Sequence, residues 1–192
     1  MKFTGAQQYV ISEAFDEVGI TDPKMITLTL TWGSTPKDMD IQLIAPFNDS
    51  YYEVNYYSGI ISELTYKGST LKKRTILASL DQDCRTANGT EVLKIHRLDD
   101  GNYYCLVYYP GSDTSVMGKS KAHVVAKYGD DKPLNFYAYK EADGNYWLAC
   151  RIWVKNGEPT FYHYTKKFDD GSGSLYRYGG KALKERIISF FK

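Results

Sequence analysis

From Ile26 onward the apolar residues of this chain recur at every second position in short runs, and turn residues separate the runs. Ile26, Leu28, Leu30 and Trp32 alternate with threonines, and Met39, Ile41 and Leu43 alternate with Asp38, Asp40 and Gln42. A period of two places successive side chains on opposite faces of an extended strand, so each run reads as a strand with one buried face. Comparable runs cover 51–57, 75–80, 91–96, 103–109, 122–128, 134–139, 146–154 and 160–164, while 58–74 reads as irregular. Turn signals at Asp99-Asp100-Gly101-Asn102, Asp143-Gly144-Asn145 and Asn156-Gly157 fall between runs. With no strand–helix–strand rhythm, the pattern predicts an all-β fold: an antiparallel jelly-roll or immunoglobulin-like β-sandwich over residues 24–165.

The two ends depart from that pattern. Residues 1–23 form a lead-in with a weak helical segment over 7–18. Residues 166–192 combine an Asp/Gly/Ser linker at 169–174 with a short C-terminal helix over 181–192. Leu183, Ile187 and Phe190 or Phe191 recur there at near-helical spacing. At about three turns such a helix is marginal alone. It can dock on the sandwich, pair with another chain or touch a membrane.

A length of 192 residues with 43% hydrophobic residues suits one domain with a proper core. The net charge of +1 argues against a polyanion partner, and Lys72-Lys73-Arg74 reads as solvated loop rather than a nucleic-acid site. No apolar run approaches the ~20 residues of a membrane-spanning helix. The first ten residues lack the basic start and apolar centre of a secretory signal, leaving an intracellular protein or a mature or excised chain. Cys84, Cys105 and Cys150 match no zinc spacing. Three separate thiols or a Cys84–Cys105 bridge are both open to them. Asn48-Asp49-Ser50 and Asn88-Gly89-Thr90 are formal glycosylation sequons.

Chemistry concentrates in the acids. Asp38 and Asp40 share a strand face if their segment is extended, as do Asp81 and Asp83, and Glu91 follows the second pair. Like charges so placed repel unless solvent, a cation or a basic partner offsets them. A hard cation such as Ca²⁺ takes six to eight oxygens, and Asp38, Asp40, Asp81, Asp83 and Glu91 supply several if the strand ends converge. The alternative is that they cap backbone N–H groups or decorate a solvated face. His96, His123 and His163 have no metal spacing, and there is no nucleophile elbow, phosphate loop or Cys–His signature. These features predict a protein that is not an enzyme.

Tyrosine is the compositional outlier, with 18 Tyr against 8 Phe and 3 Trp. The pairs Tyr51-Tyr52, Tyr56-Tyr57, Tyr103-Tyr104 and Tyr108-Tyr109 put one ring on each face of a strand. Half of those rings lie outside the core unless a neighbour covers them. Tyr51, Tyr56, Tyr104 and Tyr108 are therefore the candidate contacts for a glycan or protein partner. Trp32, Trp147 and Trp153 read as core.

One family shares several of these segments in order. Leu28-Thr29-Leu30-Thr31-Trp32-Gly33, Pro36-Lys37-Asp38-Met39-Asp40-Ile41-Gln42-Leu43, Leu80-Asp81-Gln82-Asp83 and Gly89-Thr90-Glu91-Val92-Leu93-Lys94-Ile95 resemble the YfaP-like domains of secreted bacterial proteins. They resemble pre-peptidase C-terminal domains more distantly. The resemblance covers about 26–154. It implies a jelly-roll-like accessory module, outside the cell or on its surface, in some relatives stabilised by a cation or binding extracellular polymers. Cys84 and Thr90 stand where the relatives carry an acid and a proline, which thins the implied ligand set. Together these readings predict a non-enzymatic surface binding module, with a self-assembling homo-oligomer or filament subunit as the alternative.

Overall fold

The structure, a computed structural model, describes residues 24–113, 115–140, 144–163 and 181–191. The helical segment expected at 7–18 and the linker at 169–174 lie outside those residues. The chain forms β1 (Ile26–Thr31), β2 (Asp40–Phe47), β3 (Ser50–Val54), β4 (Ile60–Lys67), β5 (Thr70–Gln82) and β6 (Thr90–Ile95). After β7 (Gly101–Tyr108) come a single helical turn α1 (Val116–Lys119), β8 (His123–Tyr128), β9 (Leu134–Tyr137), β10 (Tyr146–Lys155) and β11 (Glu158–His163). Helix α2 (Lys181–Phe190) closes the described chain.

The strands pair antiparallel into two sheets, one ordered β4-β5-β6-β1-β8-β9 and the other β11-β10-β7-β2-β3. Their inner faces share one core: Ile26, Leu28 and Leu30 of β1 and Leu93 and Ile95 of β6 lie against Ile41, Leu43, Tyr103, Val107 and Trp147 of the facing sheet. The all-β expectation is met, and the period-two reading of β1 and β6 carries over residue by residue, while β2 keeps Ile41 and Leu43 in the shared core but is buried on both faces. The segment 58–74 is corrected: it holds β4 and the start of β5, joined at Gly68, whose φ of 60° suits glycine. Two register shifts in the β4–β5 pair break the alternation that would have revealed them. The tyrosine-rich run is shorter than expected. β3 stops at Val54, and Tyr56 and Tyr57 sit in a turn where Asn55 Oδ1 accepts the N–H groups of Tyr57 and Ser58. Trp153 is also corrected: it points outward from β10, 39% exposed, because its neighbours Ile152 and Val154 occupy the inward positions.

Of the three fates open to the tail, the first is found. Ile187 of α2 is buried on the outer face of the five-stranded sheet, with Ile44, Tyr104, Leu106 and Leu148 beneath it and Ile188 and Phe191 alongside. Lys184 Nζ donates to the Tyr51 carbonyl at 3.1 Å and pairs with Glu53 at 3.3 Å. The sheet is apolar on both faces and α2 covers the outer one. Ile187→Ala should therefore cost about 2–4 kcal/mol of unfolding free energy in a denaturant titration, as buried aliphatic truncations do. A loss within experimental error would mean that α2 does not dock in solution.

Candidate functional site

The acids converge at one end of the two-sheet stack, through three local features. The connection from β1 to β2 crosses from one sheet to the other and carries Asp38 and Asp40 at its far end. Glu91 is the second residue of β6 and faces inward in the same row as Leu93 and Ile95. Gly89 lets the loop before it close on Trp32: a Cβ there would lie 2.2 Å from the indole ring. Trp32 N–H donates to the Gly89 carbonyl at 3.3 Å, and Asn88 N–H to the Gly33 carbonyl at 2.9 Å.

The fifth acid is sent elsewhere. The β5–β6 register steps from Leu80↔Leu93 to Gln82↔Val92, so Asp81 is the extra residue of a bulge. A bulge reverses the face on which the following side chains fall. The expectation that Asp81 and Asp83 share a face is therefore corrected. Asp83, though exposed, reaches Glu91 with its carboxyl group. Asp81 stays outside, paired with Lys94 at 2.7 Å and accepting from Ser79 Oγ, which also contacts His96 Nε2 at 2.9 Å.

Asp40, Asp83 and Glu91 each bring a carboxylate oxygen within 4.8 Å of the other two. Glu91 is fully buried: the N–H of Ile41 donates to Oε2 at 2.7 Å and that of Cys84 to Oε1 at 3.0 Å. Asp40 is only 4% exposed, yet no described residue donates a hydrogen bond to it. Asp38 lies beside them with Oδ1 enclosed and unpartnered. Arg85 is the nearby cation, 3.5 Å from Asp83 in an exposed pair.

Burial is the first cause of the proton affinities here. It pushes Glu91 up to about 9 against the two backbone donors, with the Asp40 charge and the Asp83 contact adding to the rise. Asp40 is pushed up to about 7 by burial, then by the charges of Asp38 and Asp83, with Arg85 opposing. Asp38 is raised by burial, lowered by Arg85 and raised again by Asp83. The cluster thus retains protons at neutral pH for want of positive charge. Its spacing suits a cation: two oxygens each about 2.4 Å from one Ca²⁺ lie at most ~4.8 Å apart. Among the described residues Asp40, Asp83 and Glu91 are at the spacing to hold one, with Asp38 close enough to feel their charge.

The four candidate tyrosines divide. Tyr104 is 1% exposed beneath α2, with the Phe191 ring 5.5 Å away, and is removed as a surface contact, while Tyr51 is half-buried against the same outer cluster. Tyr56 and Tyr108 line a cleft of about 220 Å³ with Tyr57, Tyr146, Glu53 and Lys184. Tyr108 and Tyr146 stack with centroids 4.6 Å apart. Asp40 sits opposite Tyr108 in the β2–β7 register, so the cleft adjoins the acids. Burial raises the Tyr146 phenol to about 12 and also raises that of Tyr108, and the Asp40 charge contributes to both. Tyr57 and Tyr146 follow from no alternation in the sequence, because one lies in a turn and the other is set by strand pairing.

No family model matches the sequence, and no curated protein matches it. Among solved structures, a homologue of the telluride resistance protein TerD from Streptomyces coelicolor superposes with a TM-score of 0.53 at 16% identity, over 76% of this chain and 90% of that one. A protein described only as of unknown function gives a TM-score of 0.46 at 13% identity, over 73% and 87%. The first likeness is one of fold. Neither is described as a YfaP-like or pre-peptidase C-terminal domain.

Folding raises the proton affinities of Asp40 and Glu91, so without a cation the native state binds more protons than the unfolded chain from about pH 4 to 9. Their contribution to stability is full below that window and is lost as pH rises through it. In EDTA, unfolding free energy should fall between pH 5 and 9 by on the order of a few kcal/mol. Glu91→Gln should remove most of the slope above pH 7. A flat wild-type profile would contradict the buried carboxyl assignment.

Proposed function

We propose that this domain is a non-enzymatic binding module that takes a Ca²⁺ ion on Asp38, Asp40, Asp83 and Glu91 and holds a polymer, glycan or protein, in the adjoining tyrosine cleft. The observation that carries the reading is the convergence of Asp40, Asp83 and Glu91 at single-ion spacing, with Asp40 buried and, among the described residues, without a hydrogen-bond donor. Crowding acids in a buried place without a matching counter-charge is unfavourable, and a divalent cation offsets that by replacing the protons the cluster otherwise retains. A cation there also fixes the start of β2, and through the Asp40↔Tyr108 pairing the wall of the cleft.

The cleft offers the flat faces of the stacked Tyr108 and Tyr146 beside Glu53 and Lys184, a mixture that suits sugar rings or a polar peptide. The proposal takes the two-sheet fold as a jelly-roll or immunoglobulin-like sandwich acting outside the cell or on its surface. A second reading, self-assembly, is favoured by one observation: the short edge strand β9 exposes Leu134 (43%) and Tyr137 (58%). Mass measurement at micromolar concentration separates the two, since a monomer removes the second.

Thermal and chemical unfolding in EDTA and in excess Ca²⁺ tests the site. At a hundredfold excess over Kd the ion should add about 3 kcal/mol. The double variant Asp40→Asn/Asp83→Asn should lose that increment, and Asp81→Asn should keep it, because Asp81 faces away. Binding should release protons and strengthen from pH 6 to 9. An identical unfolding curve in EDTA and in millimolar Ca²⁺ would end the reading.

A further inference from the structure

Two of the three cysteines face each other inside the core. Cys105 of β7 and Cys150 of β10 are direct cross-strand partners, and neither has any exposed surface. The pairing depends on a bulge: the register steps from Leu148↔Leu106 to Cys150↔Cys105, and Ala149 is the residue passed over. Side chains directly opposite in an antiparallel pair project from the same face. Their Cα atoms lie about 4.5–5.5 Å apart, inside the ~4.4–6.8 Å that a disulfide spans. The two thiols contact each other by hydrogen bond, and this contact with burial raises the Cys150 thiol well above its ordinary value. Cys84 is different: it is half-buried beyond β5, and its Sγ lies 3.3 Å from Thr86 Oγ1 rather than against a cysteine. The Cys84–Cys105 bridge that sequence order left open is not the pair that the strands bring together.

We propose that Cys105 and Cys150 are a disulfide site, closed by a small-molecule disulfide such as oxidised glutathione while the chain folds, with Cys84 left as the free thiol. One cysteine thiolate attacks the glutathione disulfide, forming a mixed disulfide and expelling one glutathione thiolate. The second cysteine thiolate then attacks the protein sulfur of that mixed bond and expels the other glutathione. Two electrons pass to the oxidant, and the two cysteine protons end on two glutathione thiols. Burial and the raised thiol disfavour the thiolate in the finished fold, so the folded, reduced protein resists the same oxidant. The bridge then records whether folding took place in an oxidising compartment.

The test uses the full chain, wild type and Cys84→Ser, refolded from denaturant with a glutathione redox buffer or with dithiothreitol. Thiols are then counted under denaturing conditions and disulfide-linked peptides are mapped. After oxidative refolding Cys84→Ser should show no free thiol and a linked Cys105–Cys150 peptide, and after reducing refolding two free thiols. The bridged form should unfold at higher temperature, because the cross-link restricts the unfolded chain. Two remaining thiols, a bridge between molecules or a link involving Cys84 would overturn the proposal. Should Cys84→Ser fail to fold, the wild-type peptide map decides alone: a Cys105–Cys150 link supports the site, and any other pattern or none overturns it.

Discussion

The Glu91 carboxylate joins the two sheets where the rest of the site is assembled. It projects inward from β6 and accepts the Ile41 N–H at the start of β2, in the opposite sheet, and the Cys84 N–H beyond β5. A carboxyl group taken out of water needs hydrogen-bond partners, and two backbone N–H groups supply them while burial keeps its proton affinity high. The constraint runs both ways: the donors keep Glu91 in place, and Glu91 holds three backbone segments in register. Gly89 contributes by lacking a side chain, since the Trp32 ring fills the space that a Cβ would take.

Around that tie the cluster is over-supplied with negative charge. Among the described residues Asp40 is buried without a donor, Asp83 reaches Glu91, and Arg85 offsets them from a solvated position. Protons or a cation must make up the difference. Because Asp40 stands opposite Tyr108, the charge state of the cluster is felt in the tyrosine cleft.

Helix α2 settles what the five-stranded sheet offers to its surroundings. Ile44, Tyr104, Leu106 and Leu148 form an apolar outer face that water would not tolerate bare, and Ile187 with its neighbours covers it. The cover is partial. It buries Tyr104 and leaves Tyr108 with Tyr146 at its margin, with Lys184 of the helix lining the resulting cleft. The helix therefore both completes the core and builds one wall of the cleft.

The alternation of apolar residues was sufficient to determine most of the strands and the buried faces of β1 and β6, because a period of two is a local property of extended chain. The supply of acids that includes Asp40, Asp83 and Glu91 was visible in the sequence, as was a short terminal helix. Three features were not. Bulges insert a residue and invert parity without leaving a mark in composition, so Asp81 was assigned to the wrong face and β4 was hidden. The cover over Tyr104 comes from residues about eighty positions later in the chain, and the Cys105–Cys150 facing pair from a strand register. What the sequence by itself determined was the all-β class, most of the strands and the supply of carboxylates and tyrosines. Which of them meet was decided only by the tertiary structure, because register shifts and long-range packing set distances between residues that no local periodicity relates.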